Sequence, residues 1–319
     1  MQTLNVEPQV EDEVKEFLSV HKSKQGTYRT YKVALDNFRE FYMETEKKTI
    51  SYFLSQVEED LQRHRLQKTR VARKTLNAFV AWLQEKGKSP KTINVYVGVV
   101  QSLAKYYDIP MSLRFVSRPP TVALHKKHPW TIEEVAKFVD MMDNIQYKSI
   151  ATAIVQSGLS ISDLLALTYG DIREEFEKSI TPLCLDLSRV KTSVPFMTFL
   201  GGWALDHLNQ HLANRTLKDN TPIYQVTSRA VHLYFRKVGQ RFDKKSWDRN
   251  PCSPHSLRAA FRTILSDHKI DHIIIEFWMG HRVPEQQIVY VSKSREGWRE
   301  TYRSLAEPHL TPSSLKRKT

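Results

Sequence analysis

From the N-terminus to Pro110, apolar residues recur at spacings of three and four, the signature of amphipathic helices that bury one stripe. Val10 to His21 forms the first, with Val14, Phe17 and Leu18 on one face. A second starts at Thr27 and turns Tyr31, Leu35, Phe38 and Phe41 inward. A third covers Ile50 to Leu66, and a fourth runs from Lys68 to Glu85 until Gly87 stops it. Ser89-Pro90 opens a fifth, with serine placed to cap and proline tolerated at the first helical position.

The pattern changes after Pro110. Prolines at 110, 119, 120 and 129, mixed with Arg118, Lys126 and Lys127, predict an extended basic connection. Residues 113–129 are read as a linker between a helical domain, 1–112, and a second domain, 130–319. Thr131 and Glu134 have the spacing of a capping box and start the second domain. Helices are predicted at 132–143, 147–157 and 160–168, then short strands around Leu183–Leu187 and Val194–Phe199. Helices resume at 203–213, 227–242, 254–268, 270–279 and 297–306. The expected fold class is mainly α: a small helical domain, then a mainly helical domain with a small antiparallel sheet.

Composition adds one strong fact. A chain of 319 residues has room for two modest domains, and its formal net charge is +13. Such an excess suits a polyanion, because each phosphate met by Lys or Arg releases condensed counterions. Lys24, Arg29, Lys32, Arg70, Arg73 and Lys74 in the first domain, with Lys126 and Lys127 in the linker, are the expected DNA contacts; a solvated polar face is the alternative. No apolar run nears the ~18 residues that cross a bilayer, and the N-terminus lacks the basic start and apolar core of a secretory signal. A cytoplasmic or nucleoid-associated protein without membrane partners is expected, with Cys184 and Cys252 as reduced thiols.

Candidate chemistry sits late in the chain. No Walker loop and no G-x-G-x-x-G follows a strand. His207 with His211, and His268 with His272, are spaced to share helix faces but lack a third ligand, so neither a metal nor a cofactor is expected. Asp271, Glu276 and the acidic run at 174–177 read as caps and solvated faces. What stands out is an ordered set. Ser253-Pro254 opens a helix carrying His255 and Arg258 three apart on one side; Gly280-His281 follows an apolar helix, and Tyr290 lies nine positions beyond His281.

His-x-x-Arg, then Met-Gly-His, then a tyrosine nine positions on resembles the tyrosine recombinase, or lambda-integrase-like, family. Upstream, Ser157-Gly-Leu-Ser-Ile-Ser-Asp-Leu164, with Leu167 and Asp171, is similar to the family's first conserved box, and Arg189-Val-Lys-Thr192 to its lysine-bearing hairpin. The helical first domain resembles the SAM-like core-site DNA-binding domain, and the second the DNA breaking-rejoining fold. With its first helix starting at Val10, the chain resembles the compact Xer type and archaeal mobile-element integrases, without the arm-site domain of larger phage integrases.

The resemblance implies a site-specific recombinase that cuts and rejoins double-stranded DNA at paired sites through a 3′-phosphotyrosyl link, without metal or ATP. It also implies four self-associated protomers on two sites. Tyr290 would be the nucleophile, with Tyr302 as the competing choice. Arg258 and His281 would hold the phosphate, His255 would orient or deprotonate, Lys191 would protonate the leaving oxygen, and Asp163 would buttress the site. One position departs: the family's first catalytic arginine falls on Ser160, whose hydroxyl cannot offer a charged fork to phosphate. Arg189 and Arg173 are the substitutes nearest in sequence, and Arg189 is preferred because it shares the hairpin with Lys191. A DNA-binding pseudo-recombinase with impaired strand exchange is the rival reading. The stretch Trp298 to Leu310 packs either on a neighbouring protomer or on its own domain.

Overall fold

The computed structural model describes residues 11–121, 128–242, 250–284 and 293–316, and the chain divides into two compact units, Met1–Leu124 and His125–Thr319. In the first unit the apolar stripes become α1 (Asp12–Ser19), α2 (Gln25–Glu46), α3 (Ile50–Gln62), α4 (Val71–Glu85) and α5 (Pro90–Tyr106). Their stripes meet around Phe38, whose ring lies edge-on to Phe53 at 5.1 Å and to Phe79 at 5.0 Å. Ser89 caps α5 through its side chain, with Pro90 in the first turn.

The third helix stops earlier than its pattern predicts. Arg63 turns to extended backbone after Gln62, and Leu66 stands 83% exposed instead of joining the core. The cause is Asp60, a buried carboxylate that accepts from the Thr69 N–H and hydroxyl and from the Val71 N–H. Burial pushes its carboxyl up, and these hydrogen bonds outweigh that and hold it below the usual range. The chain is thereby drawn into an exposed loop before α4, with Arg70 in the left-handed region at φ 57°.

The second unit is built around α7 (Ile145–Ser157), whose positions from Ser149 to Ser157 are all buried. A helix without a wet face must find partners for its polar side chains. Ser149 bonds Tyr224, Thr152 donates to backbone carbonyls, and Gln156 donates to Leu310 O and accepts from Ala204 N. Around it lie α6 (Ile132–Asp140), α8 (Ile161–Leu165), a 3-10 turn at Tyr169–Asp171, and α9 (Arg173–Glu177). The strands β1 (Leu183–Ser188) and β2 (Pro195–Leu200) pair antiparallel, Leu183 opposite Leu200. Then follow α10 (Gly202–Leu212), α11 (Ser228–Gly239), α12 (Pro254–Asp267), α13 (His272–Trp278), α14 (Arg295–Leu305) and α15 (Ser313–Lys316). Thr131 and Glu134 close the expected capping box on α6. Cys184 and Cys252 are free, buried thiols that burial pushes up to about 12.

Two expectations are settled by α14. Trp298, Tyr302, Ala306 and Leu310 are all buried in the second unit's own core, so this stretch packs on its own domain. The acidic run is not wholly solvated: Glu175 is buried and takes a fork from Arg299, Oε1 to Nη2 at 2.7 Å and Oε2 to Nη1 at 3.1 Å. Burial pushes the Glu175 carboxyl up, but the Arg299 fork, the Cys184 N–H and the charges of Arg299 and Arg295 hold it below its ordinary value. Glu175→Ala removes the fork from the buried Arg299, which keeps Glu296 and the Pro182 carbonyl, and is expected to destabilise the unit by ~1–3 kcal/mol in a denaturant titration. Because the folded carboxyl is lowered, the wild-type pair contributes fully above the unfolded value of about 4.3, and its contribution fades as pH falls through the lower folded value.

Candidate active site

Two arginines from distant elements converge on one carbonyl. Helix α12 begins at Ser253, which caps it, with Pro254 in its first turn; the third residue after His255 is the buried Arg258. Arg258 Nη1 donates to the carbonyl of Gly158, the left-handed residue that ends α7. Its Nη2 donates to Met279 O at 2.8 Å and lies 2.8 Å from His281 Nε2. Met279 caps the C-terminus of α13, where the closing carbonyls have no helical partner of their own. Gly280, at φ 66°, then turns the chain so that the His281 N–H reaches back to Glu276 O at 2.9 Å.

Arg189 arrives from the end of β1 and donates its Nη1 to the same Met279 carbonyl at 2.9 Å. Its Nε lies 2.9 Å from Asp163 Oδ2, an ion pair whose angle falls short of a hydrogen bond. Asp163 is buried on α8 and also accepts from Ser160 Oγ at 2.6 Å and from the Val190 N–H at 2.9 Å. Ser160 is the N-cap of α8. Arg189 and Arg258 therefore meet at one oxygen. Burial, and then the charge of Arg189, push the Arg258 guanidinium down to about 10 against the pull of Asp163 and Glu276.

His281 is held from its other side by Glu276, Oε2 to Nδ1 at 2.6 Å. A carboxylate accepts, so Nδ1 carries the proton and Nε2 accepts from Arg258. The second oxygen of Glu276 lies 3.1 Å from Arg262 Nη2 and 3.5 Å from His272 Nε2. Sequence reading took Glu276 for a solvated side chain; it is part of this cluster. It was signalled only by its place five residues before His281, which a helix end with a left-handed glycine brings back together. His255 is exposed near His232 of α11, whose imidazole is lowered by burial and then by the charges of Arg236 and His255.

Other expected residues fall elsewhere. Arg173 is turned outward and forks Asp219, Nη1 to Oδ1 at 2.6 Å, and shares no contact with Arg258 or Asp163 among the described residues. Its nearness to the site in sequence is not nearness in space. Lys191 is exposed on the turn joining the strands. Tyr302 is fully buried and donates to Gln156 O at 2.7 Å, and burial raises its phenol well above the ordinary value. Tyr290, Lys126 and Lys127 lie outside the described residues.

On the first unit, Lys24, Arg29, Lys32, Arg70 and Lys74 are exposed, while Arg73 is half-buried and stacks over Phe115 at 4.3 Å. Lys32 is paired with Asp36 at 3.3 Å. An open groove of about 460 Å³ is lined by Arg29 and Thr30 of α2 and by Lys91 and Thr92 of α5. The histidine pairs hold no metal cluster among the described residues, and His207 and His211 are lowered by burial, then shifted by backbone hydrogen bonds and nearby charges.

The model of the phage integrase family matches residues 130–296, the stretch that carries every residue of this cluster. The chain belongs to that family. Among its relatives is the tyrosine recombinase XerA of Pyrococcus horikoshii, 26% identical over 70% of this chain and 76% of its own length. Another is the tyrosine recombinase XerD of Oceanobacillus iheyensis, 19% identical over 90% of this chain and 95% of that protein. Among solved structures, the Tn1549 transposon integrase in complex with circular intermediate DNA covers 85% of this chain and 99% of its own, at 16% identity and TM-score 0.56. A lambda integrase dimer bound to a core site covers 92% and 95%, at 13% identity and TM-score 0.56. At these identities the likeness is one of fold: mainly helical, with a small antiparallel sheet.

The family cluster depends on the glycine at 280. A Cβ there would lie 2.6 Å from Arg189 Cδ and 2.9 Å from Phe196 Cδ1. Gly280→Ala is therefore expected to cost ~1–2 kcal/mol from the left-handed backbone alone, with the clash adding to it, and to lower the thermal midpoint accordingly.

Proposed function

We propose that this chain is a site-specific DNA recombinase that exchanges strands through a covalent phosphotyrosyl intermediate. The observation that carries the reading is the convergence of Arg258, Arg189 and His281 around Met279 O, which gathers two guanidiniums and an imidazole where a single phosphate would find donors. Family membership supports it, and the relatives include named tyrosine recombinases. Structural neighbours bound to DNA support duplex DNA as the partner, as does the net charge of +13.

In this reading the Tyr290 oxygen attacks the scissile phosphorus while the bond to the 5′ oxygen breaks. His255 takes the phenolic proton or orients the phenol, and Lys191 protonates the leaving 5′ oxygen. Negative charge gathering on the non-bridging oxygens is met by Arg258, Arg189 and His281. The phosphotyrosyl link keeps the bond energy, so a 5′ hydroxyl from a second strand reverses the chemistry without ATP. Arg189 takes over the charge that Ser160 lacks, which answers the motive for a pseudo-recombinase. Paired recognition sites, with two protomers on each and four at the junction, complete the proposal; the lambda integrase dimer on a core site supports the pairing.

A duplex of the recognition site, nicked so that the cleaved end diffuses away, tests this directly. Wild-type protein is expected to trap a covalent adduct in a denaturing gel, and Tyr290→Phe to bind the duplex equally while forming none. An adduct that persists in Tyr290→Phe defeats the nucleophile assignment. Arg189→Ala is expected to slow adduct formation about a hundredfold, the ~3 kcal/mol of one preorganised charge. Arg173→Ala is expected to leave that rate unchanged.

A further inference from the structure

We infer that Glu276 is a positioning residue: it sets the tautomer and aim of His281 and, with Arg262 behind it, holds the imidazole edge toward the phosphate pocket. The inference rests on the strand-transfer reading above and goes beyond it by giving a role to residues outside the expected catalytic set.

An imidazole next to a guanidinium has two ways to place its single proton, and only one leaves Nε2 free to accept. His281 Nε2 lies 2.8 Å from Arg258 Nη2, so the proton belongs on Nδ1, where Glu276 Oε2 waits at 2.6 Å. Its other oxygen, Oε1, makes no hydrogen bond and is held by charge alone: Arg262 of α12 lies 3.1 Å away as an ion pair, its Nη2 bonded to His272 Nε2 at 2.6 Å. The backbone pins the same geometry, since the His281 N–H donates to Glu276 O. Both ends of the residue pair are thus tied together, one by main chain and one by side chain.

Charge points the same way. Among the described residues the groups in contact with the His281 ring are Arg258 from α12 and Glu276 from α13. Behind them Arg262 and His272 lie against Glu276, and Arg189 reaches the Met279 carbonyl that Arg258 shares. Among the described residues, Asp163 is engaged by Arg189, Ser160 and Val190, and Glu276 is the carboxylate in contact with His281. When phosphate displaces the Arg258 contact, Nε2 must donate rather than accept. A ring that keeps Nδ1–H on Glu276 and gains a proton on Nε2 is cationic, and the adjoining carboxylate stabilises it.

Nitrogen-15 NMR of the ligand-free protein, together with adduct formation on the nicked duplex, tests the inference. Wild type is expected to show the Nδ1–H tautomer at His281. Glu276→Gln keeps an acceptor and is expected to retain that tautomer and to stay within a few-fold of the wild-type adduct rate. Glu276→Leu is expected to shift the ring to the Nε2–H tautomer and to slow adduct formation about 10- to 100-fold while duplex affinity is unchanged. The inference is overturned if Glu276→Leu leaves the tautomer in place, whatever the rate, or if it changes the tautomer and leaves the rate intact. If the wild type itself forms no adduct, the strand-transfer reading fails, and the tautomer alone decides whether Glu276 positions His281.

Discussion

The second unit's cluster of arginines and histidine hangs on the carbonyl oxygen of Met279. A carbonyl has two lone pairs, and a helix end is where one is left without a partner inside the helix. Here both are taken by arginines from distant parts of the chain, Arg258 from α12 and Arg189 from the hairpin. Two guanidiniums side by side repel, and Arg258 is pushed down first by burial and then by that repulsion. The arrangement persists because Asp163 and Glu276 stand on its flanks and because main-chain carbonyls occupy several of the donors. An anion entering between the arginines relieves the same repulsion that the protein tolerates without it.

This constraint also gives Ser160 a place. Its hydroxyl caps the short helix α8 and donates to Asp163, so the carboxylate that holds Arg189 is itself held. The Val190 N–H adds a third anchor, which ties the turn bearing Lys191 to the start of α8. Serine at 160 and arginine at 189 are thus two halves of one arrangement, joined through Asp163.

Much of this was legible in the chain. Helical periodicity located the elements because their stripes are regular, and Ser89-Pro90 and Thr131–Glu134 marked helix starts because capping is a local matter. His255 and Arg258 were legible as a pair because three residues on one helix put them on one side. His281, 23 residues past Arg258, was legible through the resemblance of the ordered motifs to the tyrosine recombinase family. What was not legible depended on distance. Glu175 finds Arg299 across more than a hundred residues, and Asp60 bends the chain away from the path that Leu66 suggested. Arg173 and Arg189 are both arginines near the same box, and only the fold separates the one that faces Asp219 from the one that faces Asp163. Glu276 looked solvated because its helix is short and its partner lies past the end of it.

The two buried cysteines carry a practical consequence. Alkylating reagents and oxidants attack the thiolate, and burial, which pushes both thiols up, disfavours it at neutral pH. Cys184 and Cys252 are the chain's entire thiol content, and both are shielded by the core. The native protein is in effect silent to maleimide chemistry. A single cysteine placed on the exposed turn between the strands would carry a dye or spin label alone and report on that turn without any native residue being removed.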